Sequence, residues 1–221
     1  TGFLLRMGSL LIDLAHWSIV ATILIAWLFG WLAGTGLPPT ATYVIVAVII
    51  VPPLIQWGVD PWVAHFFAFL LAVWGELSPP TSLTAAVAAR IANASFLRTM
   101  FTALKICLPI VLMSFAIFVR DDAVIQQGWA QVPDTLLMAL GSVAITFAAV
   151  GTFMSSRPVD AGARLALGAV GALVLFHPSM TIATAAAFVG LAALVFGIYR
   201  IQGPTSGAAE PVLTPQRGDT G

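Results

Sequence analysis

Apolar residues run along this chain in blocks of helical length, separated by short knots of proline, glycine and charge. Residues 10–33 form the first block and residues 41–55 the second, divided by Gly34-Thr35-Gly36-Leu37-Pro38-Pro39-Thr40. Proline removes an N–H and clashes with the preceding turn, so no regular helix is expected through that stretch. Two readings stay open here: a tight loop between spans, or the tip of a hairpin that enters and leaves a membrane on one side. A polar turn follows at Gln56-Trp57-Gly58-Val59-Asp60-Pro61, with Pro61 suited to the first turn of the next helix.

Residues 62–77 run apolar as far as Ser78-Pro79-Pro80-Thr81, where the helix breaks again before residues 82–94. Each half, about 13–16 residues long, falls short of a ~30 Å hydrocarbon core, but the two together cross it at about 1.5 Å per residue. The pattern predicts one discontinuous transmembrane helix. Residues 96–119 follow, with Arg98 and Lys105 marking an interfacial first part and Arg120-Asp121-Asp122 closing the segment. A polar link through Pro133-Asp134 leads to a span over residues 135–154. Arg157, Asp160 and Arg164 read as a charged loop. Residues 165–176 and 181–199 make a last helical pair turning at His177-Pro178. From Gly203 the composition shifts to Gly, Pro, Thr, Ser and Ala, which predicts a disordered tail over residues 203–221.

Composition turns these blocks into membrane spans. Of 221 residues, 60% are hydrophobic and 8% charged, and the mean hydropathy is +1.01. Soluble domains carry about 25% charged residues, so a water-soluble enzyme, a nucleic-acid binder and a disordered chain are excluded. The expected fold is an all-α polytopic membrane protein. Nine Lys and Arg balance nine Asp and Glu, leaving no basic excess for a phosphate-rich partner. The single cysteine, Cys107, lies in an apolar run and excludes an internal disulfide. The chain opens on Thr1-Gly2, and is read as the C-terminal portion of a longer membrane protein or as a processed one.

Lys/Arg bias sets the expected orientation. Residues 90–105 carry three cations and no acid and belong in the cytoplasm; Asp121, Asp122 and Asp134 then fall outside. The stretch with Arg157 and Arg164 returns inside, His177 faces out, and Arg200 with the C-terminus ends inside. Working backwards, residues 56–61 lie outside, so a hairpin tipped at 34–40 would enter from that side.

The candidate chemistry gathers at the two breaks. Irregular backbone survives in hydrocarbon only when buried in protein or lining an aqueous cavity, and interrupted helices offer free carbonyls and helix termini to ions. The first break offers Gly34, Thr35, Gly36 and Thr40; the second offers Gly75, Ser78, Thr81 and Ser82. The competing reading is two ordinary proline-kinked loops. Glu76 is an ionisable group within an apolar stretch, hence a candidate cation ligand or proton carrier; the structural alternative has it facing a watery crevice, or held by Ser78 or a free N–H of the following helix. Asp13, His16 and His65 read as interfacial and His177 as turn chemistry. No histidine has a metal-ligand partner at usable spacing, so no metal beyond Na⁺ and no cofactor is expected. No nucleophile elbow, phosphate loop or catalytic carboxylate pair is present, and the tryptophans carry no mechanistic signal.

Residues at these breaks resemble a known family. Thr1-Gly2, followed by Gly34-Thr35-Gly36-Leu37-Pro38-Pro39-Thr40-Ala41-Thr42-Tyr43, looks like a signature of TRAP transporter membrane subunits. His65-Phe66-Phe67-Ala68-Phe69 and Gly75-Glu76-Leu77-Ser78-Pro79-Pro80 are similar to stretches of the fused permeases of its TAXI branch, and Ala89-Arg90-Ile91-Ala92, Arg98-Thr99 and Thr102-Ala103-Leu104-Lys105 continue the pattern. The resemblance covers roughly residues 1–122; residues 132–200 resemble, more weakly, the extra C-terminal helices of some fused permeases.

The resemblance implies an elevator-type secondary transporter of the bacterial inner membrane, supplied with an organic acid by a periplasmic substrate-binding protein and driven by Na⁺. Residues 1–122 would be the second half of the transport region, with a re-entrant hairpin tipped at 34–40 and a broken helix at 75–81. Residues 123–202 would be accessory transmembrane helices. The N-terminal half of the permease and a small membrane subunit, fused or separate, would be partners. Sodium would be held by Gly34 or Gly36 together with Gly75 and Ser78; Thr35, Thr40, Glu76, Thr81 and Ser82 are candidates for substrate contact or proton coupling. Ser78 stands where the family has Thr, keeping the hydroxyl, and Pro38-Pro39 replaces Pro-Thr, so Na⁺ and H⁺ coupling both stay open. A non-transporting membrane scaffold of the same fold is the rival reading, and an intramembrane enzyme a distant third.

Overall fold

The computed structural model describes residues 18–78, 81–154 and 156–202, with residues 6, 9, 10 and 13 of the preceding stretch. His16, Pro79, Pro80 and the tail expected from Gly203 lie outside the described residues. The described elements are helices: α1 (Ile19–Gly34), α2 (Pro39–Gln56), α3 (Pro61–Leu77), α4 (Leu83–Ile91), α5 (Phe96–Ile106), α6 (Leu108–Ala116), the short α7 (Asp122–Ile125), a 3₁₀ turn (Gly128–Gln131), α8 (Val132–Val150), α9 (Arg157–Phe176) and α10 (Met180–Gln202). Five segments have the length and apolar character to cross a membrane: Pro39–Gln56, Phe96–Ala116, Gly128–Val150, Arg157–Phe176 and Met180–Gly197. The chain is an all-α, multi-pass membrane protein.

Local chemistry sets the helix starts. Ser18 caps α1 at Ala21 N, Asp60 caps α3 at Trp62 N with Pro61 as first helical residue, and Ser82 caps α4 at Ala85 N. Breaks occur where the prolines predict them: α1 ends at Gly34 and α2 begins at Pro39, while α3 ends at Leu77 and α4 begins at Leu83. Pro52 and Pro53 sit inside α2 without ending it.

Helix α3 is the inner helix. Nine of its 17 residues are buried, over a broad face that leaves Trp62, His65 and Phe69 exposed on the other side, and it packs against α1, α2, α4, α6 and α7. Phe67, Ala68 and Leu71 meet Val46, Ile50 and Leu54 of α2 and Ala116 and Ile117 at the end of α6 in one continuous core. The C-terminal helices α8, α9 and α10 pack on one another, and α8 joins them to α6 through Met138 and Ile145. Glycine permits the closest α8–α9 approach: a Cβ on Gly141 would lie 3.2 Å from Gly171 O, and one on Gly171 would lie 3.1 Å from Gly141 O. Such small-residue seams replace the hydrophobic drive that lipid cannot supply between membrane helices.

Two polar clusters correct the expected loops. Arg120 closes no exposed link; it is 2% exposed. Its guanidinium pairs with Asp134 at 3.1 Å and donates to Val174 O at 2.9 Å and His177 O at 2.8 Å. The cation therefore ends α9 by taking its last carbonyls, where the helix dipole is negative. The expected charged loop at 157–164 is likewise the first two turns of α9. Asp160 accepts from Phe153 N and Met154 N, and Arg164 donates to Ala148 O and Ala149 O at the end of α8. Charge at these positions satisfies backbone at the two ends of the α8–α9 hairpin instead of meeting solvent. The span expected over residues 135–154 accordingly runs Val132–Val150, and the segment at 96–119 divides at Cys107, ahead of Pro109.

Removing one member of a buried ion pair strands the other, typically at a cost of about 3–5 kcal/mol. Arg120→Met is therefore expected to lower the unfolding midpoint in detergent sharply. Arg120→Met/Asp134→Leu should recover part of the loss, and a double variant no better than the single would show that the carbonyl bonds, not Asp134, dominate.

Candidate functional site

The two breaks meet. A Cβ placed on Gly34 would lie 2.6 Å from the Cα of Gly75, and one on Gly75 would lie 2.6 Å from the Cα of Gly34. The backbones touch at a distance that only two facing glycines allow. The two positions also begin the same kind of turn: Leu37 N donates to Gly34 O at 3.3 Å and Ser78 N donates to Gly75 O at 3.4 Å. Gly36 takes a left-handed φ of +81° in the first turn, and a Cβ there would sit 3.5 Å from Thr81 Oγ1 of the second. Of the expected cation ligands, Gly34, Gly75 and Ser78 are thus brought together and Gly36 lies beside Thr81.

Ser78 is fully buried. Its hydroxyl donates to Gly75 O at 2.9 Å and accepts from the indole N–H of Trp31 at 2.6 Å. Trp31 carried no signal in the sequence, yet it is the side chain of α1 that reaches across to the second break. It stacks in a tilted arrangement on Trp27 at 5.8 Å, which in turn lies 6.4 Å from Trp74 and 5.8 Å from Phe115. An aromatic wall therefore backs the junction. Thr42 is the second residue that local pattern did not single out: it is fully buried, and its Cγ2 lies 3.2 Å from where a Gly34 Cβ would be.

The remaining candidates divide by engagement. Thr35 Oγ1 donates to Leu32 O at 2.7 Å, ending α1. Thr40 and Thr81 are exposed, and Ser82 is spent on its cap at Ala85 N, 3.1 Å away. Glu76, half-buried in the last turn of α3, accepts from Thr84 Oγ1 at 2.6 Å and from Thr84 N at 3.1 Å. The carboxylate thus takes up a free N–H of the following helix. His65, expected at an interface, is exposed and shares a 3.0 Å hydrogen bond with Tyr43 of α2.

A multi-pass helical membrane protein with two interrupted helices meeting break to break is the class that this geometry defines. Residues 1–122 match the family described as the tripartite ATP-independent periplasmic transporter, DctM component. That match spans more than half of the chain, and the protein belongs to this family. It is accordingly a TRAP transporter permease component, a family that works with a substrate-binding protein and membrane subunits. No curated protein and no solved structure matches the chain.

Because backbone cannot yield as a side chain can, Gly34→Ala and Gly75→Ala are each expected to destabilise the protein by ~2 kcal/mol or more, the upper range for overpacking. Gly162, in α9 with nothing within 4 Å of its Cβ position, is the control. Gly162→Ala should gain about 0.5–1 kcal/mol through lost unfolded-state freedom. Thermal unfolding of the three variants in one detergent checks the ranking; equal tolerance of all three would refute the backbone contact.

Proposed function

We propose that residues 1–122 form the second half of the transport region of a binding-protein-dependent TRAP permease, and that the protein imports organic acids coupled to Na⁺. Residues 123–202 act as accessory transmembrane helices. The observation that carries this reading is the backbone contact between Gly34 and Gly75, which sets two helix interruptions against each other. The Gly75 carbonyl and the Ser78 hydroxyl lie there, with the end of α1 at Gly34 packed against them. Hard oxygen donors on irregular backbone suit an alkali cation, with Gly34, Gly36, Gly75 and Ser78 as the ligand-bearing residues. After donating to Gly75 O and accepting from Trp31, the Ser78 hydroxyl retains one lone pair for a cation.

Thr40 and Thr81 are the exposed hydroxyls beside this junction and the first candidates for contact with a carboxylate substrate; Thr35 and Ser82 are already bonded to Leu32 O and Ala85 N. The alternation of loop charge supports placement in the inner membrane with the first hairpin entering from the periplasm and the C-terminus in the cytoplasm. A periplasmic substrate-binding protein, the N-terminal half of the permease and a small membrane subunit complete the transporter. The quoted motifs favour the TAXI branch with a fused subunit.

Uptake into proteoliposomes containing the complete permease and its binding protein tests the proposal. Uptake should follow an inward Na⁺ gradient and not a pH gradient alone. Ser78→Ala should raise the Na⁺ concentration for half-maximal uptake several-fold, the scale of one lost ligand hydrogen-bond equivalent of about 1–2 kcal/mol. Uptake indifferent to Na⁺ in the unaltered protein would sink the sodium assignment, and no uptake at all would favour the scaffold reading.

A further inference from the structure

An acid in the last turn of α3 is electrostatically misplaced, because carboxylates are disfavoured at the negative end of a helix and favoured at the positive one. Glu76 occupies that position in the chain but is hydrogen-bonded elsewhere. Its Oε1 spans the break to the first turn of α4, accepting from Thr84 Oγ1 at 2.6 Å and Thr84 N at 3.1 Å. Ser82 takes the neighbouring amide of Ala85. The first turn of α4 is thus satisfied by one group from within the break and one from its far side. The bond joins residues eight positions apart, one on each side of Ser78 and Thr81 in the chain.

We propose that Glu76 is a positioning residue, a clasp that fixes α4 relative to α3 across the gap and thereby holds the second break in register with Gly34 and Gly36. The inference rests on the transport reading above for its functional consequence, but its geometry stands apart from it. Both bonds fall on Oε1, and the clasp gives this carboxylate a positioning role in place of the cation-ligand or proton-carrier role that its depth in an apolar stretch suggests. Its charge belongs to the positive end of α4, and its bond to a hydroxyl donor is of the short, charge-assisted kind. The cation is held by oxygens of the two breaks, and Glu76 determines how far apart those oxygens stand. Thr84, which no sequence signal marks, is the other half of the clasp. With Thr84 N and Ala85 N both taken, that helix end is also closed to the carboxylate of a substrate.

Two readouts on the complete permease test the clasp. The first is the Na⁺ dependence of uptake. Glu76→Ala and Thr84→Val are each expected to raise the half-maximal Na⁺ concentration by about three- to tenfold with the maximal rate little changed, the scale of one typical net intramolecular hydrogen bond. The double variant should be no worse than Glu76→Ala alone, since Thr84→Val removes only the hydroxyl half of the contact that Glu76→Ala removes whole. Thr84→Ser, which keeps the hydroxyl, should restore the unaltered value. Abolished coupling in Glu76→Ala beside unchanged Na⁺ dependence in Thr84→Val would overturn the proposal and make Glu76 a ligand or proton carrier.

The second readout needs no transport. In a Cys107→Ala background, a cysteine at Ala85, on the buried face of α4, should react slowly with a small maleimide in membranes. Glu76→Ala and Thr84→Val should both accelerate labelling, Glu76→Ala at least as much, and not additively. Unchanged labelling in both variants would overturn the clasp even where uptake is normal. Accelerated labelling in a protein that shows no Na⁺-driven uptake would keep the clasp and remove the transport reading.

Discussion

Backbone N–H and C=O groups released inside hydrocarbon cost several kcal/mol each unless something within the protein takes them up, and two helices of this chain release such groups at positions that touch. The contact between Gly34 and Gly75 is the constraint around which the first part of the molecule is arranged. It requires α1 and α3 to end side by side, which puts α2 and α4 at their departure points. It also accounts for the breadth of the buried face of α3: a helix whose end must meet another helix end is flanked by the elements leading to both. Trp31 then reaches Ser78, and the aromatic wall of Trp27, Trp74 and Phe115 closes the side of the junction.

The C-terminal helices solve the same problem with charge instead of glycine contact. Arg120 takes the carbonyls ending α9 and the carboxylate of Asp134; at the other end Asp160 takes two amides of the α8–α9 connection and Arg164 two carbonyls ending α8. Arg120 lies within the family-matched residues while Asp134, Val174 and His177 lie beyond them. The bond network therefore crosses the end of the family match at residue 122, and the helices beyond it are fastened to the matched residues by a buried cation as well as by the α6–α8 packing.

Both breaks were legible in the sequence because proline acts locally: its missing N–H and its clash with the preceding turn are properties of the residue and its neighbours. Glu76 was legible as an anomaly, an acid among apolar residues, but its partner was not, since a bond over eight positions across a break obeys no helical period. Trp31–Ser78 joins residues 47 apart and Arg120–His177 residues 57 apart, so neither is visible to any local pattern. The misread stretch at 157–164 has the same origin. Charge signals solvent in a soluble chain, whereas in this one Asp160 and Arg164 are spent on backbone that lipid cannot hydrate.

The junction also distributes donors unequally, and this bears on what each half of a TRAP transport region contributes under the proposed reading. Four helix ends gather at the breaks, two of carbonyls and two of amides. The amide end of α2 begins with Pro38 and Pro39, neither of which has an N–H, and has no side-chain cap. The amide end of α4 is already occupied by Glu76 and Ser82. Anion-binding capacity is therefore reduced at both amide ends, while the Gly34 carbonyl accepts a single turn bond and keeps a lone pair for a cation, as the Ser78 hydroxyl does. An arrangement of this kind favours positive charge. A carboxylate substrate would then find Thr40 and Thr81 here but draw its strongest donors from the other half of the transport region, with the bound cation supplying the positive charge that these helix ends do not.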